Sequence, residues 1–166
     1  MEYRNTYRRF DRRGVIAVSK PAKSAQLILE LYELRREPTM REARNWFISY
    51  FPESADEIIQ TMIDPATSAK FRMVISYWDM AASFVNHGAI DEAMFHDASG
   101  EPMVFFAKIS PYLDELREKL QWPGYLKHLE TLVKRTTDAE TVLKGHRERT
   151  RRWMTARDEM IAKSAG

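Results

Sequence analysis

The sequence contains no cysteine and no long hydrophobic run, and these two absences exclude several classes of protein. Without thiols, the 166-residue chain forms no disulfide, no Cys-ligated zinc or iron–sulfur centre and no thiolate nucleophile. Its longest unbroken apolar run, Met103 to Ala107, is far shorter than the roughly 20 residues needed to span a bilayer. Because its first residues also lack the apolar stretch of a secretory signal, we expect a protein of the bacterial cytoplasm.

Signatures of catalysis are also missing. The six glycines are scattered and form no phosphate-binding loop, and the four histidines share no short spacing. Glu92 and His96 are four residues apart, so on a helix they share a face that a divalent metal could use. A di-iron bundle needs two Glu-x-x-His pairs, and the sequence has none. We therefore expect Asp91 to be a helix N-cap, His87 to lie at the C-terminal end of a helix and His96 to lie in a turn. The sequence therefore predicts no catalytic residue, no metal and no cofactor.

Charge is present but unevenly distributed along the chain. Residues 1–20 carry six basic and two acidic side chains, and residues 134–166 carry nine basic and five acidic ones. Since the whole chain has a net charge of +2, the segment between these ends is acidic, at −6. Separate regions of positive and negative charge create electrostatic fields that steer the association of a protein with its partners.

Apolar residues recur every three or four positions from Pro21 onward, which predicts helices. Ser or Thr followed three residues later by Glu forms a capping box and marks helix starts near Thr39, Ser54 and Thr137. The central helix, predicted over 68–87 and ended by Gly88, is apolar around most of its circumference. Its polar side chains fall in one narrow stripe, which predicts burial on three sides.

The same stripe suggests a small-ligand pocket, in which Asp79 is a candidate general base and Arg72 a candidate anion clamp. Alternatively, the stripe faces solvent or forms a buried polar network. The candidate pocket residues are Arg72, Ser76, Asp79, Ser83 and His87.

Both basic ends are candidate partner-binding segments. In the N-terminal one, aromatic side chains alternate with arginines, a composition suited to nucleic-acid backbones or to an acidic protein surface. The final helix has a polar stretch from Lys144 to Arg152 followed by apolar residues, which suggests docking on another subunit. The candidate contact residues are Tyr3, Arg4, Tyr7, Arg8, Arg9, Phe10, Arg12, Arg13, Arg149, Arg152, Trp153, Met154, Met160 and Ile161.

Residues from about 25 to 120 resemble an uncharacterised bacterial family, an all-helical domain of unknown function. The resemblance is carried by SYWDMAASFVNHGAIDEAMFHD, then Gly100, then FFAKISPYLDELREKL, with a weaker continuation upstream through QLILELYELRREPTMREARNWF. It implies a helical fold. Because the family has no assigned reaction, the resemblance implies no catalytic residue.

The predicted fold is all-α, a compact bundle of six to seven helices with an extended basic arm and a protruding C-terminal helix. Residues 1–20 are the predicted arm, 21–145 the bundle and 146–166 the extension of the final helix. The sequence favours a non-enzymatic accessory subunit that docks on a protein assembly, or on a second copy, through its basic ends. Two alternatives remain: an RNA- or DNA-binding accessory protein that uses the same ends, and a small-ligand-binding protein or enzyme that uses the polar stripe.

Overall fold

Helices account for all the regular secondary structure in the part of the chain that the computed structural model describes, residues 20–164. The prediction of an all-α bundle is confirmed. Residues 20–164 form nine α-helices and one 3₁₀ turn. Three of the helices are only seven residues long, and these short helices bring the count above the predicted six to seven. The helices are α1 Lys20–Arg36, α2 Pro38–Ser49, α3 Ala55–Ile63, α4 Ser68–Asn86, α5 Glu92–Ala98, α6 Glu101–Ile109, the 3₁₀ turn Ser110–Tyr112, α7 Leu113–Lys119, α8 Lys127–Val133 and α9 Ala139–Ser164.

Helix α4 lies at the centre of the bundle and packs against α2, α3 and α8. The predicted burial on three sides is confirmed, since eight of its side chains are buried: Phe71, Val74, Ile75, Tyr77, Trp78, Ala81, Ala82 and Val85. Phe47 of α2 contacts Phe71 and Phe105, with ring centroids 5.7 and 4.9 Å apart. Burial of these large aromatic side chains is the main source of the bundle's stability.

Polar contacts between distant segments fix how the helices are placed. The Tyr77 hydroxyl donates to the Leu31 carbonyl at 2.6 Å and joins α4 to α1. Arg117 of α7 pairs with Glu130 of α8 at 2.6 Å, and its Nε donates to the Tyr125 carbonyl at 3.0 Å. These bonds hold the loop between α7 and α8 against the bundle.

Two predicted helix starts and one predicted stop are confirmed. The Ser54 hydroxyl accepts from the Glu57 amide at 3.1 Å and caps α3, while the Asp91 carboxylate accepts from the Met94 amide at 2.9 Å and caps α5. Gly88, with φ of +73°, lies in the left-handed region directly after α4, where glycine has no steric penalty.

Two other predicted capping boxes are wrong. Helix α2 is capped by Glu37, whose carboxylate accepts from the Met40 amide at 3.0 Å, and Pro38 occupies the first turn. A proline favours the first helical turn because its φ is already helical and its missing N–H would have had no partner there. Helix α9 begins at Ala139, two residues after the predicted start at Thr137, and Asp138 before it has φ of +54°.

Candidate functional sites

Helix α9 divides into a packed segment, residues 139–150, and a projecting segment, residues 151–164. The packed segment lies on α6, where Leu143 and Thr150 are buried. Arg147 donates to the Ala107 carbonyl at 2.9 Å and strengthens this contact. The protruding C-terminal helix that the sequence predicts therefore exists, and the last buried residue in its described part is Thr150.

The projecting segment is exposed at every position except Met154, which is partly covered. Its large apolar side chains face solvent: Trp153 is 65% exposed, Met160 73% and Ile161 58%. Its contacts to the bundle are few. The Ser49 hydroxyl, at the end of α2, lies 3.8 Å from the Met154 sulfur and 3.1 Å from Arg157, and the Arg151 guanidinium lies 5.1 Å from the centre of the Phe51 ring. Two predicted basic contact residues, Arg149 and Arg152, are exposed as well.

The predicted contact residues near the N-terminus lie outside the described part of the chain. They are Tyr3, Arg4, Tyr7, Arg8, Arg9, Phe10, Arg12 and Arg13. Their role in binding stays a prediction.

A cavity of about 420 Å³ lies beside α4, and three residues of the predicted stripe line it: Arg72, Ser76 and Asp79. The opposite wall comes from the loop before α8. We call this the α4 cavity; its remaining lining residues are Met62, Ile75, Trp122, Gly124, Tyr125 and Leu126. A mostly apolar wall with a few polar groups is typical of small-ligand sites.

The structure separates two of the candidate pocket residues, Ser83 and His87, from the α4 cavity and gives Asp79 a structural contact. Ser83 donates to the Met80 carbonyl at 2.7 Å, and His87 Nδ1 lies 2.7 Å from the Ser83 carbonyl, outside the cavity. Asp79 accepts from the Leu129 amide at 2.8 Å, in the first turn of α8. The residue at the cap position of α8, Leu126, has φ of +54° and supplies no side-chain acceptor, so Asp79 caps this helix from a distance.

Arg72 and Tyr125 supply the α4 cavity with polar groups that a ligand could contact. The only hydrogen bond of the Arg72 side chain within residues 20–164 is from its Nε to the Ser68 carbonyl, at 3.3 Å. Burial raises the pKa of the Tyr125 hydroxyl well above its ordinary value, with the nearby Asp79 charge acting in the same direction. The tyrosine therefore stays neutral and offers a hydroxyl, while Arg72 offers a cation to a ligand.

A second cavity, which the sequence reasoning missed, surrounds Lys108. Its volume is about 250 Å³, and we call it the Lys108 cavity. It lies where the connection between α2 and α3 and the end of α6 meet the packed segment of α9. The lining residues are Phe51, Pro52, Lys108, Pro111, Tyr112, Arg147, Glu148 and Arg151.

Lys108 is only 2% exposed, which is rare for a lysine. Its ammonium donates to the Phe47 and Ile48 carbonyls at 2.9 and 2.7 Å, the last turn of α2. The charge also lies 3.9 Å from the centre of the Phe51 ring. Burial, and then the charge of Arg151, lowers the pKa of Lys108 from 10.5 to about 7. The sequence feature that could have indicated its burial is its position directly after the apolar run from Met103 to Ala107.

Neither a metal site nor a membrane span is found among residues 20–164. Glu92 and His96 lie 3.9 Å apart, but no group of three potential ligands forms around them. Instead, Glu92 forms an ion pair with Arg135. No helix in the described region combines the length and the apolar character that crossing a bilayer requires.

The fold and these sites define a helical-bundle protein with an appended C-terminal helix, whose concave sites include the α4 cavity and the Lys108 cavity. A family model, described as a domain of unknown function, DUF4760, matches residues 22–136, and the chain belongs to this family. The match includes α2 to α8 and nearly all of α1, and it ends before α9. No curated protein and no solved structure matches the chain.

Proposed function

We propose that this protein is a non-enzymatic accessory subunit of the bacterial cytoplasm, which docks on a larger protein assembly through the projecting segment of α9. The observation that supports the proposal is the exposure of Trp153, Met160 and Ile161 on a helix that extends past its own bundle. Single exposed apolar residues are ordinary, but three large ones on fourteen residues of projecting helix are typical of a contact surface.

The spacing of these residues suits a helix bound in a groove. Trp153 and Met160 are seven residues apart and therefore share a face, and Met154 and Ile161 form a second such pair beside them. Amphipathic helices that bind grooves present anchors at this spacing. A projecting segment of 14 residues is marginal as an isolated helix, so a partner's groove would also stabilise it.

Charge complementarity defines the chemistry of the partner. Residues 144–164 carry seven basic and three acidic side chains. We therefore expect an apolar groove with an acidic rim on another protein. The basic residues of the N-terminal segment would add to the same attraction. Affinity should fall as salt rises, because exposed charges are screened.

Site-specific crosslinking in living cells tests this proposal. A photoreactive amino acid replaces Trp153, and in a control it replaces Lys144, which is exposed on the packed segment of the same helix. We expect one discrete protein adduct from position 153 and none from position 144. The captured protein, once purified, should bind the wild type and lose affinity for the Trp153→Ala, Met160→Ala double variant.

Three results would contradict the proposal. Equal adducts from both positions would indicate random collisions, and an adduct of two copies of this chain would indicate self-association. A nucleic-acid adduct that nuclease removes would support the alternative of an RNA- or DNA-binding protein.

A second candidate function is small-ligand binding in the α4 cavity, which is favoured by the convergence of Arg72, Ser76 and Asp79 on an apolar wall. The ligand would have an apolar body that contacts Trp122 and a polar group that reaches the stripe. A fragment screen by ligand-detected NMR, with aromatic carboxylic acids as probes, tests this candidate. Ser76→Trp should fill the cavity and abolish binding, while Ser83→Trp, on the same helix but outside the cavity, should not. Binding that survives Ser76→Trp would exclude this site.

A further inference from the structure

The Lys108 cavity collects positive charge that the described part of the chain leaves uncompensated. Lys108, Arg147 and Arg151 all line it, and the only carboxylate in its lining is that of Glu148. Within residues 20–164, none of the three cations lies in an ion pair with a carboxylate. Of the three, only Lys108 is buried, and burying a cation without a compensating charge is costly, so its place in this cluster is unusual for a purely structural residue.

Each cation keeps hydrogen-bond donors that could bind a ligand. Lys108 uses two of its three ammonium donors on the Phe47 and Ile48 carbonyls. Arg147 uses Nη1 on the Ala107 carbonyl and the Ser110 hydroxyl, which leaves Nη2 and Nε. Arg151 rests on the Phe51 ring, 5.1 Å from its centre, and none of its N–H groups has a hydrogen bond within the described part of the chain.

The positions of these donors are set by packed elements. Lys108 is held by the end of α2, and Arg147 by the contact of the packed segment of α9 with α6. Arg151 is positioned by its stacking on Phe51. Preorganised donors from α6 and from two successive turns of α9 match a tetrahedral oxyanion better than a planar carboxylate, which one guanidinium can satisfy alone.

We propose that the Lys108 cavity binds a phosphate group, which Lys108, Arg147 and Arg151 contact together at the junction between the bundle and α9. Because the cavity is small, the ligand is free phosphate or a small phosphate monoester. The site includes Arg151, the first residue of the projecting segment, but none of the apolar docking residues Trp153, Met160 and Ile161 and no residue of the α4 cavity, so it stands or falls independently of the functions proposed above.

Calorimetric titration of the full-length protein tests the site, with inorganic phosphate and glycerol phosphate as probes and chloride at matched ionic strength as the baseline. We expect saturable binding to the wild type. Arg151→Gln should weaken it by about tenfold or more, since it removes a charge-assisted contact. The control, Arg149→Gln, removes the same charge two residues away on the same helix and should leave the affinity unchanged. Within residues 20–164, the one hydrogen bond of the Arg149 side chain is to His146, and the residue does not line the cavity.

Glu148→Gln adds a variant with the opposite expected effect. It removes the only carboxylate of the cavity lining and should tighten phosphate binding severalfold. Absence of saturable binding in the millimolar range would overturn the proposal. Equal weakening by Arg149→Gln and Arg151→Gln would also overturn it, because that result means diffuse attraction. Tighter binding of glycerol phosphate than of phosphate would identify a monoester as the ligand.

Discussion

Helix α4 and the projecting segment of α9 both carry aromatic and aliphatic side chains among polar ones, yet one lies at the centre of the bundle and the other contacts almost nothing. Trp78 of α4 is 2% exposed, and Trp153 of α9 is 65% exposed. The difference comes from the rest of each helix. Apolar residues surround most of α4, whereas α9 mixes charges into every turn before and after Trp153. Apolar content alone therefore does not distinguish a core helix from a docking helix.

The largest effect should come from the buried tryptophan. Trp78→Ala removes a ring that contacts Tyr77 and Phe105, and leaves a cavity in the core. We expect the free energy of unfolding to fall by about 3–5 kcal/mol. Chemical denaturation followed by circular dichroism measures this loss. A loss below about 1 kcal/mol would mean that α4 is not the centre of the core.

The next effect distinguishes buried from exposed positive charge: α6 buries Lys108, whereas the projecting segment of α9 exposes its basic side chains. The pKa of Lys108 is about 7 in the folded state and 10.5 as an ordinary lysine, so between these pH values the unfolded chain binds more protons. The free energy of unfolding of the wild type should therefore rise with pH across this window, on the order of 3 kcal/mol relative to Lys108→Met.

Denaturation at several pH values, with the two proteins side by side, measures that slope. Lys108→Met retains the other titratable groups that line the cavity, namely Arg147, Arg151, Glu148 and Tyr112. The difference between the two pH profiles therefore measures the contribution of Lys108. Parallel pH profiles would contradict the burial of its charge.

A smaller effect is expected from the contact between α4 and α8. Asp79→Ala removes the acceptor of the Leu129 amide and should cost about 1–2 kcal/mol, as losses of helix caps do. Asp79→Asn retains an acceptor oxygen and should cost less. Thermal melts of the two variants test this order, and an equal cost for both would mean that the carboxylate charge, and not the cap, matters.

The smallest effect on stability should come from the exposed tryptophan. Trp153→Ala should change the free energy of unfolding by no more than about 0.5 kcal/mol, because the side chain is 65% exposed. The same denaturation assay as for Trp78→Ala gives the matched measurement. A large loss would place Trp153 in a structural contact and remove the basis of the docking proposal.

Local patterns predicted the features that depend on neighbouring residues. The polar stripe of α4, the caps at Ser54 and Asp91 and the exposed end of α9 could all be inferred from spacing within one helix. The predicted start at Thr39 failed because Pro38 fixes the first turn and leaves the cap to Glu37.

Features that depend on tertiary packing could not be predicted in this way. Asp79 caps a helix that begins almost fifty residues later, and Lys108 is buried because the terminal carbonyls of α2 and the packed segment of α9 meet around it. Nothing in the residues next to Lys108 signals these partners. For the same reason, the α4 cavity includes only part of the predicted stripe, since the loop before α8 closes over one end of it.

Amide hydrogen exchange along α9 is the most direct test of the docking surface. In the protein alone, residues 151–164 should exchange much faster than residues 139–150, because the buried residues of α9, Leu143 and Thr150, both lie in the packed segment. Addition of the partner captured at position 153 should slow exchange in 151–164 and leave 139–150 unchanged. Equal protection of both segments in the free protein, or fast exchange of 151–164 in the complex, would contradict a docking role for the projecting segment.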